Sequence, residues 1–282
     1  IEAAFFHHSA HGVLPGDFDV LSAGSAEGLV RSLRAITGFE GPATVVSNAC
    51  ASSGKAFATA KRWLDADIVD AVLVGGADSL CQMTLRGFKS LGLLCEGASR
   101  PFSRDRAGIN IGEGAAFAIL EREGDGPRLL GTGESSDAHH MTRPDPDGRG
   151  ARRAMEGALA SAGVSAHDVG YINAHGTGTH FNDAMEARAI RDTMGGRADP
   201  FVVSNKGYIG HTLGAAGATG AVCVLEALRD GWVPASAGAD PADPDLGLTV
   251  PIEATDVELR YAMCNAFAFG GSNVSLLFEA PR

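Results

Sequence analysis

Three features of the chain predict an α/β fold of two layered, pseudo-symmetric halves. β-Branched runs alternate with helical segments, a strand, elbow and helix pattern occurs twice, and two helices carry small residues where surface helices carry charge. The first copy of the pattern is Val45-Val46-Ser47-Asn48-Ala49-Cys50, followed by a helix from Ala51-Ser52-Ser53-Gly54 to Asp65. The second is Phe201-Val202-Val203-Ser204-Asn205, which passes through Lys206 to His211 and into Gly214-Ala215-Ala216-Gly217. Each reads as strand, Ser-Asn, reactive side chain and Ala/Gly-rich helix, which points to an internal duplication. Helices so poor in charge are expected to be buried against a neighbour.

In chain order, residues 5–21 read as a loop-rich edge. Its histidines, His7, His8 and His11, have no carboxylate or cysteine at ligand spacing, so packed or solvated rings are expected and no metal. After the Cys50 helix, residues 67–76 form a strand, and 115–120 another before the polar run Glu121 to Pro127. That run divides the chain into residues 1–124, carrying the thiol, and 125–282, carrying His175 and His211. Arg128 to Gly133 opens the second half as a strand, and Ser135 to Gly150 is a loop. A helix over 151–162 stops at Gly163. Residues 169–174 form a strand that delivers His175, and a helix over 183–194 stops at Gly195-Gly196. The helix through Val222 and Leu228 closes at Gly231. Two last strands, 263–266 and 273–279, flank a glycine loop.

Cys50 is the candidate nucleophile, because a thiol at the positive end of a helix loses its proton below the free value of about 8.5. Most single cysteines are inert and buried; the elbow with flanking Gly and Ser favours the reactive reading. A lone histidine at a strand end is more often structural. Three such elements in one chain reverse those odds. Gly176-Thr177-Gly178-Thr179 adds hydroxyls where the backbone can approach a ligand closely.

The motifs Asn173-Ala174-His175-Gly176-Thr177-Gly178-Thr179, Lys206 to His211 with Gly214-Ala215-Ala216-Gly217, and Asn265-Ala266-Phe267-Ala268-Phe269-Gly270-Gly271-Ser272-Asn273 resemble the signatures of the β-ketoacyl synthases. The Cys50 elbow and the segment Arg100 to Gly114 match as well, in the family's order. The resemblance implies a thiolase-like α-β-α-β-α fold, with the N-terminal half lacking its opening segment. It implies an acyltransferase that condenses an acyl group held on Cys50 with malonyl-acyl carrier protein, in fatty acid or type II polyketide or polyene synthesis. In that reading His175 and His211 stabilise the enolate, and the backbone of Cys50 and of the gating Phe269 holds the oxyanion. Lys206 and Glu186 form a buried charge pair. Thr177 and Thr179 touch the phosphopantetheine arm of the carrier, and no cofactor is permanently bound. For Glu186 a capping box with Asp183 is the alternative, and for the threonines ordinary turn chemistry. Ala268, where glycine is usual, is expected to restrict the gating loop, and His180 replaces a usual proline beside the carrier tunnel. The rivals are a thiolase, which needs a second catalytic cysteine in a glycine-rich motif, and a catalytically silent chain-length-type subunit, which usually lacks the nucleophile.

Composition narrows the class further. Five cysteines in 282 residues, an odd number, argue against a disulfide framework and for a reducing, cytoplasmic compartment. A net charge of -11 argues against nucleic acid, and no apolar run suits a membrane. The resemblance implies a homodimer, or a heterodimer with a related subunit. An acidic carrier would need a basic patch, for which Lys55, Lys61, Arg62, Arg152 and Arg153 are candidates, with solvated helix faces as the alternative.

Overall fold

The structure, a computed structural model, describes residues 2–20, 25, 27–196 and 199–281. Helices α1 (Glu2–His11), α2 (Gly28–Thr37) and α3 (Ser52–Asp65) precede strand β1 (Ala71–Asp78), helix α4 (Gln82–Ser90) and strand β2 (Gly114–Glu121). The second part runs β3 (Arg128–Ser136), α5 (Arg149–Ala162), β4 (Val169–Asn173), α6 (His180–Met194), β5 (Phe201–Val203), α7 (Lys206–Ile209) and α8 (Ala216–Asp230). It ends with β6 (Trp232–Val233), β7 (Thr255–Asp256), β8 (Tyr261–Ala268) and β9 (Ser272–Glu279).

β1 and β2 pair antiparallel over their full lengths. A second, five-stranded sheet has the order β3-β9-β8-β4-β5, antiparallel from β3 to β8 and parallel from β8 to β5. Helices α3 and α8 touch each other and both sheets, so they form the layer between them; α5 and α6 cover the other face of the larger sheet. One apolar cluster, with Phe57, Val224, Leu276 and Phe278, fills the space around α3 and α8. Another, with Met155, Ile172, Ile190 and Leu277, joins the sheet to α5 and α6. The expected layered α/β fold is borne out.

Small residues let the two central helices approach to backbone contact. A methyl group at Gly217 would fall on the backbone nitrogen of Gly54, and one at Gly54 would lie 2.7 Å from Val274 Cγ1. The Ser53 hydroxyl accepts the backbone N–H of Ala218 at 2.9 Å, tying one helix start to the other. The duplication is visible in the backbone: Ala49 (φ 44°) and Leu213 (φ 49°) are both left-handed, and each stands three positions before the first residue of its helix. The reactive residues do not correspond one to one, because Cys50 is two positions before Ser52 and His211 five before Ala216.

Several expectations are corrected. Residues 44–47 form no strand; they line an apolar cleft of about 540 Å³ together with α2, α3 and β1. Without a neighbouring strand to take its N–H and C=O groups, a β-branched run has no ladder to join. Residues 2–11 are helical rather than loop, and Leu21 lies outside the described residues. The strand expected from Asp67 starts at Ala71, after Asp67 turns at φ 53°. Helix α6 starts at His180 because the Thr179 hydroxyl caps it. Helices α2 and α4 were not read from the sequence, and α4 buries no residue completely. Among the described residues no helix is long and apolar enough to cross a membrane.

Gly217→Ala separates packing from propensity. In a free helix the change gains about 1 kcal/mol. Here the clash with the Gly54 backbone is expected to reverse the sign, to a net loss of about 1–3 kcal/mol in urea unfolding.

Candidate active site

The positive φ of Ala49 turns the chain sharply before α3, so Cys50 sits buried just ahead of the helix start. On the other side, β4 delivers His175, and α7 holds Lys206 at the entrance to the segment that carries His211. The two imidazoles meet edge to face with ring centroids 5.2 Å apart, and His175 also lies 6.0 Å from the ring of Phe267 on β8. The backbone N–H groups of Phe269 and of Cys50 itself act on the Cys50 sulfur, and so does the charge of Lys206. Residues more than 200 positions apart in the sequence are thereby gathered around one thiol.

His211 Nδ1 accepts the backbone N–H of Leu213 at 3.3 Å, which places the proton of the neutral ring on Nε2. His175 Nδ1 is buried and has no hydrogen-bond partner among the described residues. Burial first, and then the charge of Lys206, hold both rings well below the usual imidazole range, with His211 adding to the effect on His175. Both are therefore neutral donors at physiological pH. Burial lowers Lys206, while Glu186 leads the groups that pull it back up.

The thiol departs from expectation. Burial pushes Cys50 up to about 11, against the opposing pull of Lys206 and the two backbone N–H groups. The helix end is present, but desolvation of the anion outweighs it, so the resting group is a thiol.

Glu186 departs too. Its carboxylate accepts the backbone N–H of His175 at 2.8 Å and of Gly176 at 2.7 Å, and no contact ion pair joins it to Lys206 among the described residues. Their charges act on each other over a longer distance. Nor is there a capping box. Asp183 accepts the N–H of Phe102 at 2.9 Å and of Gly178 at 3.1 Å, binding the loop between α4 and β2 to the glycine-threonine turn. Both carboxylates on α6 thus serve the turn that carries His175. Asp183 was read only as a helix start; its place two glycines downstream of His175 in a polar turn was the available signal.

Thr177 and Thr179 hydroxyls lie 2.9 Å apart, and Thr179 caps α6, so the ordinary turn role is filled for that residue. Ala268 ends β8 in register with Ser272 and has no left-handed backbone, so its methyl imposes no strain. The turn beyond it is pinned from outside: Gly270 N–H donates to Met141 O at 2.7 Å and Asp137 N–H to Gly271 O at 2.8 Å. Phe269 stacks on Phe88 of α4, centroids 5.6 Å apart. His180 is exposed as the first residue of α6.

Of the basic residues read as a docking patch, Lys55 and Arg62 share Glu134, Lys61 pairs with Asp65 and Arg152 with Glu156. Arg153 donates to the carbonyl of Ser136. Their charge is largely met by the chain itself.

The β-ketoacyl synthase N-terminal domain matches residues 31–126 and the C-terminal domain residues 128–240. One chain of the structure of the ketosynthase ApeO in complex with its chain length factor ApeC from Xenorhabdus doucetiae is similar over 99% of this chain and 70% of that one, at 38% identity and a TM-score of 0.89. The chain belongs to the β-ketoacyl synthase family. Among curated members, 3-oxoacyl-[acyl-carrier-protein] synthase 2 of Vibrio cholerae is 37% identical over 267 residues, 88% of this chain and 64% of that protein. Nodulation protein E of Rhizobium meliloti is 38% identical over 253 residues, 86% and 63% respectively. The chain thus spans just under two thirds of the length of these synthase relatives. One chain of the structure of a type II polyketide synthase acyl carrier protein in complex with its ketosynthase bound to the hexaketide aligns at a TM-score of 0.90 and 26% identity, over 96% of this chain and 70% of that one.

Two measurements test the electrostatics of this site. Burial raises Glu186 from 4.5 to about 7, so its proton stabilises the fold below 4.5 and that contribution is lost as pH rises to 7. Melting temperature is expected to fall across that window more steeply in the unchanged protein than in Glu186→Gln. For Cys50, the alkylation rate by iodoacetamide, followed by peptide mass, is expected to climb about tenfold per pH unit from pH 7 to 9. Lys206→Ala is expected to slow it at every pH, because the cation favours the thiolate.

Proposed function

We propose that this chain carries the reaction centre of an elongating ketosynthase, which condenses an acyl group on Cys50 with a malonyl group presented on an acyl carrier protein. One observation supports the reading: the buried rings of His175 and His211 meet edge to face with centroids 5.2 Å apart, and the charge of Lys206 bears on both rings and on Cys50.

In the first half-reaction the Cys50 sulfur attacks an acyl thioester, the acyl group passes to Cys50, and the thiol proton leaves with the pantetheine sulfur. Since the resting thiol is protonated, the anion is needed only transiently. The cation of Lys206 and the N–H groups of Phe269 and Cys50 stabilise it as it forms. In the second, the malonyl carboxylate leaves as carbon dioxide and its bonding electrons become an enolate. His211 Nε2–H and the ring of His175 are the neutral donors for the enolate oxygen. Neutral rings are required, since an N–H must be held through the step rather than given up. The enolate carbon attacks the acyl carbon, the oxyanion sits at the backbone N–H groups of Cys50 and Phe269, and collapse releases the Cys50 thiolate with the 3-oxoacyl product.

The phosphopantetheine arm would enter past Thr177 and Thr179 as part of the substrate. Dimerisation, with an identical or a related subunit, belongs to the same proposal and is supported by the ketosynthase and chain length factor complexes among its structural relatives. The presence of Cys50 favours this reading over a silent subunit, and the absence of a second cysteine after Cys264 favours it over a thiolase.

Intact-protein mass after incubation with acyl carriers of graded length is expected to show an added acyl group, abolished in Cys50→Ala. Retention of the acyl adduct in that variant would overturn the assignment. His211→Ala is expected to lower carbon dioxide release from malonyl-carrier by at least about 100-fold while leaving loading within a few fold.

A further inference from the structure

Asn265 and Ser275 are polar residues in the middle of an apolar sheet. They face one another across β8 and β9, both buried, on the sheet face turned to α5 and α6, where Met155, Met263, Phe267 and Leu277 form the core. An amide and a hydroxyl in such a place destabilise the fold unless they are hydrogen-bonded. The Ser275 hydroxyl donates to Asn265 Oδ1 at 2.8 Å. With its oxygen occupied, the amide turns Nδ2 toward Glu186 Oε1, at 3.4 Å, with the Met155 sulfur also at 3.4 Å. Glu186 in turn holds the N–H groups of His175 and Gly176. A continuous relay therefore runs from Ser275 through Asn265 and Glu186 to the backbone that carries one imidazole. The condensation chemistry uses neither Asn265 nor Ser275.

We propose that Asn265, oriented by Ser275, is a positioning residue that keeps Glu186 in its carboxylate form and so locks the backbone of His175. The link to catalysis rests on the functional reading above. A carboxylate accepts from all three donors at once. A protonated carboxyl turns one oxygen into a donor, and then the Asn265 amide or one backbone N–H faces a hydrogen instead of a lone pair.

The groups around Glu186 are opposed. Asp183 on its own helix pushes it up, Lys206 on α7 pulls it down, and the Cys264 thiol on β8 and the neutral His175 lie close by. Burial dominates and leaves it titrating at about 7. At that balance a single hydrogen bond decides the state. A change of half a unit to one unit shifts the ratio of the two forms roughly three- to tenfold at neutral pH.

The test is an infrared titration of the protonated carboxyl stretch, with the Glu186 band identified by its loss in Glu186→Gln. That control also separates it from buried Asp183. In Ser275→Ala the amide is free to flip its oxygen toward Glu186, and in Asn265→Ala the donor is gone. Both are expected to raise the midpoint by about 0.5–1 unit. A midpoint unchanged within about 0.2 unit in Ser275→Ala overturns the proposal, and that variant decides alone where Asn265→Ala does not fold. Acyl loading of Cys50 is scored on the same samples. Absence of loading in the unchanged protein overturns the functional reading, whereas the carboxyl midpoint judges the relay by itself.

Discussion

A single buried ammonium organises this molecule. Lys206 sits at the start of a four-residue helix, out of water, and its charge reaches Cys50, Cys264, Cys223, Glu186, Asp183 and both histidines. Burying a cation is costly, and the cost is offset only by surrounding groups that prefer it there. Glu186 and Asp183 supply negative charge at a distance, while the histidines respond by staying neutral. The two states of the thiol feel the ammonium differently: resting, it is protonated by burial; reacting, its anion is favoured by the cation.

That arrangement depends on backbone placement more than on side-chain contact. Among the described residues Glu186 binds no side-chain cation directly; it clamps the two N–H groups that launch the glycine-threonine turn, and Asp183 clamps the next part of that turn to the loop at Phe102. On the opposite side, the contact of Gly217 with the Gly54 backbone draws α3 and α8 together. Each helix has its own left-handed elbow residue ahead of it, so close packing of the helices brings the two elbows together. The reactive side chains are thus located by a helix contact made entirely of small residues. This explains why the charge-poor pattern of those helices was the useful signal in the sequence.

Most elements after Cys50 were legible because each carries a local signature: Gly163, Gly195 and Gly231 end their helices, and β-branched runs mark β4 and β5. The run Thr44 to Ser47 has the same local character but forms no strand, since strand formation depends on a neighbour and not on composition. Helices α2 and α4 do carry apolar residues at helical spacing, Leu29, Val30, Leu33 and Ile36 on the first and Leu85 and Phe88 on the second, so their signal is present in the sequence. At the site, Cys50, His175, His211 and Lys206 stood out by motif. Asp183, Asn265 and Ser275 did not, because buried hydrogen-bond partners leave no periodic trace in a sequence.

By itself the sequence determined the fold class, the duplicated elbows and the residues that meet, since these follow from hydrophobic period, small-residue content and ordered motifs. Only the tertiary structure decided their states: a protonated thiol at Cys50, neutral imidazoles, and a Glu186 that grips backbone rather than Lys206. The reason is desolvation. The charge a group carries depends on what surrounds it in three dimensions, and for Cys50 those surroundings include Lys206 and Phe269, more than a hundred residues away.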